Sequence, residues 1–179
     1  YYREHQLMLK GVVVGIIFLI VAFSLYDWWR SQRIESASLS LSKALDQAED
    51  SRKAALAEVK KEYSGTASGV WAEVELAHLD MKNKAFADAE KKYAELHKKV
   101  DVANPLFALT LYGIAQAQEA QENLDAAYTS YTKLKDVEAY RMTGYFGMAR
   151  IHEMKNELDK ALGIYNQYKS FFNNPDADK

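Results

Sequence analysis

The stretch "NELDKALGIY", residues 156–165, decides the fold because it occurs three times in altered form. "NLDAAYTSY" at 123–131 and "KAFADAEKKY" at 84–93 are built to the same plan. Each carries a bulky apolar residue, an alanine three positions on and a tyrosine four further. Ala89, Ala127 and Ala161 are followed by Tyr93, Tyr131 and Tyr165. Twelve residues before those alanines stand Ala77, Ala115 and Ala149. The spacing is 34 residues from Ala115 to Ala149 and 38 from Ala77 to Ala115. The extra four fit the loop "DVANP", 101–105, with Pro105 starting the next helix.

Two antiparallel helices approach closely only where their side chains are small, so the alanines mark crossing points. A tyrosine can then fill the space where the next pair stacks. One pair cannot bury its apolar face alone, whereas stacked pairs can. The pattern predicts an all-α chain with helix pairs at about 70–100, 106–137 and 141–172. The turns "NKA", "QEN" and "KNE" each hold an asparagine, which tolerates helix-ending geometry.

Composition agrees with helix throughout. The chain has 179 residues, two prolines and few glycines, enough for one domain and an appendage. It has no cysteine, which removes disulfides, thiolate metal sites and a cysteine nucleophile. The net charge of −2 argues against nucleic acid, and the lysine pairs 60–61, 91–92 and 98–99 lie among glutamates, as on a solvated helix face.

Ahead of the repeats, "GVVVGIIFLIVAFSLY" runs uncharged from Gly11 to Tyr26. As a helix it spans ~24 Å, slightly under a ~30 Å hydrocarbon core. Lys10 and the pair Trp28 and Trp29 suit the flanking interfaces. A single-pass anchor over 1–30, meeting lipid through 11–29, is the favoured reading. A cleaved signal peptide and a buried core helix are the alternatives, but no small-residue cleavage site follows Ala22. Two cations on each side, Arg3 and Lys10 against Arg30 and Arg33, leave the orientation open.

Residues 31–69 read as a divergent helix pair and a loop. Ile34, Leu41 and Leu45 mark one face, with Ala37 and Ala44 beside them. Ser51 is the expected N-cap of a helix over 51–63, and "SGTASG", 64–69, is the expected loop.

The repeat set resembles the tetratricopeptide repeat over about 70–172. It departs from that pattern in lacking the usual tryptophan of the first helix, and only Pro175 approximates the closing proline. The wider arrangement adds "WRSQRIESASLSLSKAL" after the anchor and "WAEVELAHLDMKNKAFADAEKKYAEL" after the loop. It resembles YfgM-type proteins, a bacterial family of inner-membrane proteins with a periplasmic tetratricopeptide domain. That resemblance implies a cytoplasmic N-terminus, periplasmic repeats, and association with the Sec translocon and a PpiD-like membrane-anchored chaperone.

In such arrays the first helix of each pair lines a concave surface. The resemblance therefore implies a partner-binding groove made by Trp71, Val74, His78 and Met81, then Leu109, Tyr112, Gln116 and Glu119, then Phe146, Arg150, Glu153 and Met154. Aromatics, methionines and a few charges suit an adaptable peptide- or helix-binding surface. Arg150 and Glu153, three apart, can also pair with each other.

No chemistry competes with this reading. His5, His78, His97 and His152 have no helical spacing to one another that would hold a metal, and no nucleophile elbow or phosphate loop appears. The expectation is a membrane-tethered interaction protein, without cofactor, enzyme activity or small-molecule substrate. A structural subunit of another envelope machine, for secretion, motility or respiration, would use the same parts. A secreted soluble module is the third reading.

Overall fold

The computed structural model describes residues 2–173, all helix and connecting turns. The expectations placed on Pro175 and on the side chain of His5 lie outside the described residues. The chain divides into two units, at Val70 and Trp71.

In the first unit, α1 runs unbroken from Tyr2 to Leu45, α2 from Glu49 to Glu62, and α3 starts at Ala67. No break follows the aromatic pair, so the apolar segment and its extension are one helix ~66 Å long. From Val12 to Trp29 its large apolar side chains are at least half exposed. Among the described residues it is the one helix long and apolar enough to cross a membrane, and none of its apolar window is buried within the protein. That removes the buried-core-helix reading.

The end of α1 packs on α2. Ala37, Ala44, Leu56, Val59 and Tyr63 are buried there, whereas Ile34 and Leu45 remain exposed. On α1 the contact face thus runs through Ala37 and Ala44, with Leu41 half-buried between them, because small side chains let the backbones approach. Ser51 is not the cap of α2. Ala48 holds that position, and the Ser51 hydroxyl donates back to the Ala48 carbonyl at 3.0 Å. Glu49 and Asp50 in the first turn favour the positive end of the helix instead.

The loop 64–69 is shorter than its composition suggests, since α3 already begins at Ala67. The Thr66 hydroxyl donates to the Tyr63 carbonyl at 2.8 Å and accepts from the Gly69 N–H at 3.2 Å. Gly69 is required here, because a Cβ would strike the Tyr63 carbonyl.

The second unit holds three antiparallel pairs: α3 (Ala67–Lys82) with α4 (Phe86–His97), α5 (Pro105–Ala120) with α6 (Leu124–Leu134), and α7 (Arg141–Met154) with α8 (Leu158–Asn173). Pro105 sits in the first turn of α5, and the Asn104 side chain accepts from the Leu106 N–H at 2.9 Å. Helices adjacent in sequence pack together from α4 through α8. Ala77, Ala89, Ala115, Ala127, Ala149 and Ala161 are all buried, as the close crossings require.

Each pair turns through the same helix-ending motif. Ala85 N–H reaches the Asp80 carbonyl, Asn123 N–H that of Gln118 and Glu157 N–H that of His152, at 2.8–2.9 Å. The left-handed residue before each is Lys84, Glu122 and Asn156, with φ near 60°. Only the last is an asparagine. In the other turns Asn83 and Asn123 flank the left-handed position, so the shared asparagine was a coincidence of composition there.

The tyrosines complete the stack. Tyr93 packs where a Cβ on Gly113 would lie 2.6 Å from its ring, and Tyr131 stands in the same relation to Gly147, closer still. Tyr131 lies in the main core with Leu111, Leu134, Met148 and Ile151. Burial, and secondarily the charge of Glu75, push the Tyr93 phenol up to about 12.

Candidate functional site

The first helices of the three pairs bring part of the predicted set together. Met81 from α3, Tyr112, Gln116 and Glu119 from α5, and Arg150 and Met154 from α7 line one open depression of about 500 Å³. Tyr112, Gln116 and Glu119 recur at i, i+4 and i+7, one stripe of α5. Leu109 continues that stripe toward the helix start, where it and Trp71 line a second, mainly apolar depression of about 380 Å³. Its other walls are the loop 102–105 and the turn carrying Val137, Ala139 and Tyr140. The rings of Tyr112 and Tyr140, 6.1 Å apart, stand between the two.

The remaining predicted residues lie elsewhere. Val74 is 1% exposed and belongs to the core of its unit. His78 is exposed and meets the Tyr93 ring edge-on at 6.4 Å, outside both depressions. Phe146 is half exposed and packs against Tyr165 and Tyr168 of α8. Glu153 accepts a hydrogen bond from the Tyr165 hydroxyl at 3.0 Å.

Arg150 therefore does not pair with Glu153. Its Nε and Nη2 donate to the two carboxylate oxygens of Glu119 at 2.6 and 2.8 Å. Nη2 also donates to the Tyr131 hydroxyl at 3.0 Å, and that hydroxyl donates to Glu119 at 2.7 Å. Burial alone would raise the Glu119 carboxyl, but the Arg150 and Tyr131 hydrogen bonds outweigh it and hold the group below the usual carboxylate range. The Glu119 hydrogen bond is the largest influence on Arg150, whose guanidinium is held charged more firmly than usual. Burial, then the bond to Glu119, push the Tyr131 phenol well above its ordinary value.

The floor of the main depression is thus a closed ion pair. Its charges cancel locally, and the fork of Arg150 is already engaged. Around it, two methionine side chains and a tyrosine offer soft and aromatic surface, and Gln116 donates to the Tyr112 hydroxyl at 2.8 Å. Such a surface favours an amphipathic segment over a strongly acidic one. Among the described residues no group of three histidine or acidic side chains is placed to hold a metal ion.

Sequence reasoning passed over Val102, Ala139 and Tyr140 because they lie in connections, where apolar residues carry no periodic signal. It also set His97 aside for want of a second histidine at metal-holding spacing. The structure places that ring beside Phe107, with centroids 4.5 Å apart, and its Nδ1 at 2.9 Å from the Thr110 hydroxyl.

The family described as "Tetratricopeptide repeat-like domain" matches residues 1–138, from the apolar helix through the second pair. Two solved structures of the nearly identical TPR-like repeats of a putative kinesin light chain from Podosopora anserina are similar in fold. One shares 15% identity at a TM-score of 0.56, covering 76% of this chain and 72% of that one. The other, a glutamine-to-methionine variant of the same repeats, shares 16% at the same TM-score, covering 76% and 71%. No curated protein matches the chain.

Proposed function

We propose, from the premise that the chain belongs to the tetratricopeptide repeat-like domain family, that it is a membrane-tethered adaptor which captures protein partners along the α3–α5–α7 surface. The observation that carries this reading is the depression lined by Met81, Tyr112, Gln116, Glu119, Arg150 and Met154, to which all three pairs contribute. A partner segment seated there would touch three pairs at once, so no single pair would suffice for recognition. A tetratricopeptide repeat-like fold is typically an interaction module, which favours a binding role.

The apolar helix supports the tether. A single span holds the repeats at a membrane surface and raises their local concentration there, so each contact can be weak. The resemblance to YfgM-type proteins adds the finer reading of a bacterial inner-membrane protein with its repeats in the periplasm. Its partners would be the Sec translocon and a PpiD-like chaperone.

Photo-crosslinking from Gln116 and Met154 in intact membranes, followed by mass spectrometry, tests both levels. Translocon or chaperone products would support the finer reading. Stoichiometric products from another envelope machine would replace it and leave the adaptor reading standing. An absence of products from either position, with the repeats folded, would sink the groove itself.

A further inference from the structure

A third cavity, of about 450 Å³, lies in the first unit where the apolar part of α1 ends. Tyr26, Trp29, Arg30, Arg33 and Ile34 of α1 line one side, and Gly65, Thr66 and Ala67 line the other. The α1 residues recur at i, i+3, i+4, i+7 and i+8, so one helix face carries both arginines and both aromatics. No carboxylate lines the cavity.

Arg33 is held in place. Its Nη2 donates to the Glu62 carbonyl at 2.6 Å, and its guanidinium lies 5.6 Å from the ring centres of both Trp29 and Tyr63. Arg30 is exposed and has no hydrogen-bond or ion-pair partner among the described residues. The N-terminal end of α3 at Ala67 brings its partial positive charge to the opposite wall. The cavity therefore combines two cations, one fixed and one unengaged, with an apolar flank at Tyr26, Trp29 and Ile34.

Depth selects the ligand. With the edge of the hydrocarbon between Tyr26 and Trp29, Arg30 lies ~2–6 Å and Arg33 ~6–10 Å beyond it along the helix. The headgroup layer occupies ~5–8 Å of each leaflet. Lipid phosphates lie in that layer, and guanidinium groups bind phosphate through paired N–H donors.

We infer that this cavity is a binding site for the headgroup phosphate of an anionic phospholipid, held by Arg30 and Arg33 with its glycerol against Tyr26, Trp29 and Ile34. The inference rests on the membrane-tethered reading of α1. The cavity then fixes the rotation of α1 about its own axis relative to the bilayer surface, because only one face carries the arginines.

The full chain in neutral detergent is titrated with dioctanoyl phosphatidylglycerol, dioctanoyl phosphatidylcholine and inorganic phosphate, following tryptophan fluorescence. Phosphatidylglycerol is expected to bind more tightly than phosphatidylcholine. Arg30→Gln should weaken phosphatidylglycerol about fivefold, the equivalent of ~1 kcal/mol per cation, and leave phosphatidylcholine unchanged. Arg33→Lys, which keeps the charge but not the fork, should also weaken it, with circular dichroism confirming the fold. Equal affinity for the two lipids, an unchanged Arg30→Gln variant, or phosphate binding as tight as the lipid would each overturn the site. Flotation with pure phosphatidylcholine vesicles separates the two ideas: a wild-type chain that fails to float removes the tether, whereas one that floats without anionic preference removes only the cavity's role.

Discussion

The ring of Tyr131 occupies the space that any side chain at Gly147 would need. Tyr131 comes from the second pair and Gly147 from the third, so the contact is a join between repeats. Gly147→Ala should destabilise the chain by ~1–3 kcal/mol, the usual range for overpacking a tight core. Gly113→Ala should act in the same direction against Tyr93. Gly163 is also helical but has open space around its Cβ position, and there alanine should stabilise by up to ~1 kcal/mol. Urea denaturation of the three variants gives the comparison, and equal effects at all three sites would show that the tyrosine contacts are not tight.

The left-handed turn residues make a second test. Lys84 and Glu122 adopt φ near 60° with a full side chain, a conformation glycine adopts without the Cβ penalty. Glu122→Gly should therefore stabilise the turn between α5 and α6 by ~0.5–1 kcal/mol, reduced by the greater freedom of glycine in the unfolded chain. A raised melting temperature supports the assignment; a lowered one contradicts it.

The Glu119–Arg150 pair should show coupling in a double-mutant cycle. Glu119 is largely buried and Arg150 partly exposed, so a coupling of ~1 kcal/mol is expected after screening by solvent. The linkage sign follows from the carboxyl. Its folded value is depressed, so its stabilisation is complete above the unfolded value and is lost as pH falls through the folded one. Arg150→Ala should flatten the acid limb of the stability profile below about pH 4.5.

His97 acts nearer neutrality. Burial lowers its value, and the charge of Lys133 adds to this, against the raising effect of the Phe107 carbonyl. The folded state thus favours the neutral ring. Its contribution is present above the ordinary histidine value near 6.5 and is lost as pH falls toward the lowered one. His97→Gln should remove that slope just below the ordinary histidine value near 6.5 in thermal melts, while carboxylates continue to titrate at lower pH.

Much of the array was legible because its determinants are periodic. The alanine pairs and the tyrosines four residues beyond them recur at fixed spacing, and helix pairs follow from that spacing. Gly113 and Gly147 were overlooked although each stands two residues before a repeat alanine, as "GIA" and "GMA". A glycine inside a helix reads as a weakness until its partner tyrosine is known. Val74 shows the opposite limit. It aligns with Tyr112 and Phe146, yet it is buried where those two are partly exposed, so alignment alone cannot assign exposure. The pairing of Arg150 with Glu119 crosses two helices, and no local spacing encodes it.

The two kinds of join carry different information about order. A tyrosine facing a glycine is met by pair two and pair three alike, so that contact alone would accept either of them after the first pair. Glu75 stands where those pairs have Gly113 and Gly147, which keeps the first pair at the head of the series. Arg150 distinguishes the other two. In a chain with those pairs exchanged it would face Met81, while Gln116 would face Glu153 and Tyr165. Such a permuted chain would conserve both ring-on-backbone contacts and forfeit the guanidinium fork. Its melting point would read out how much of the array's sequence of assembly is written in one arginine.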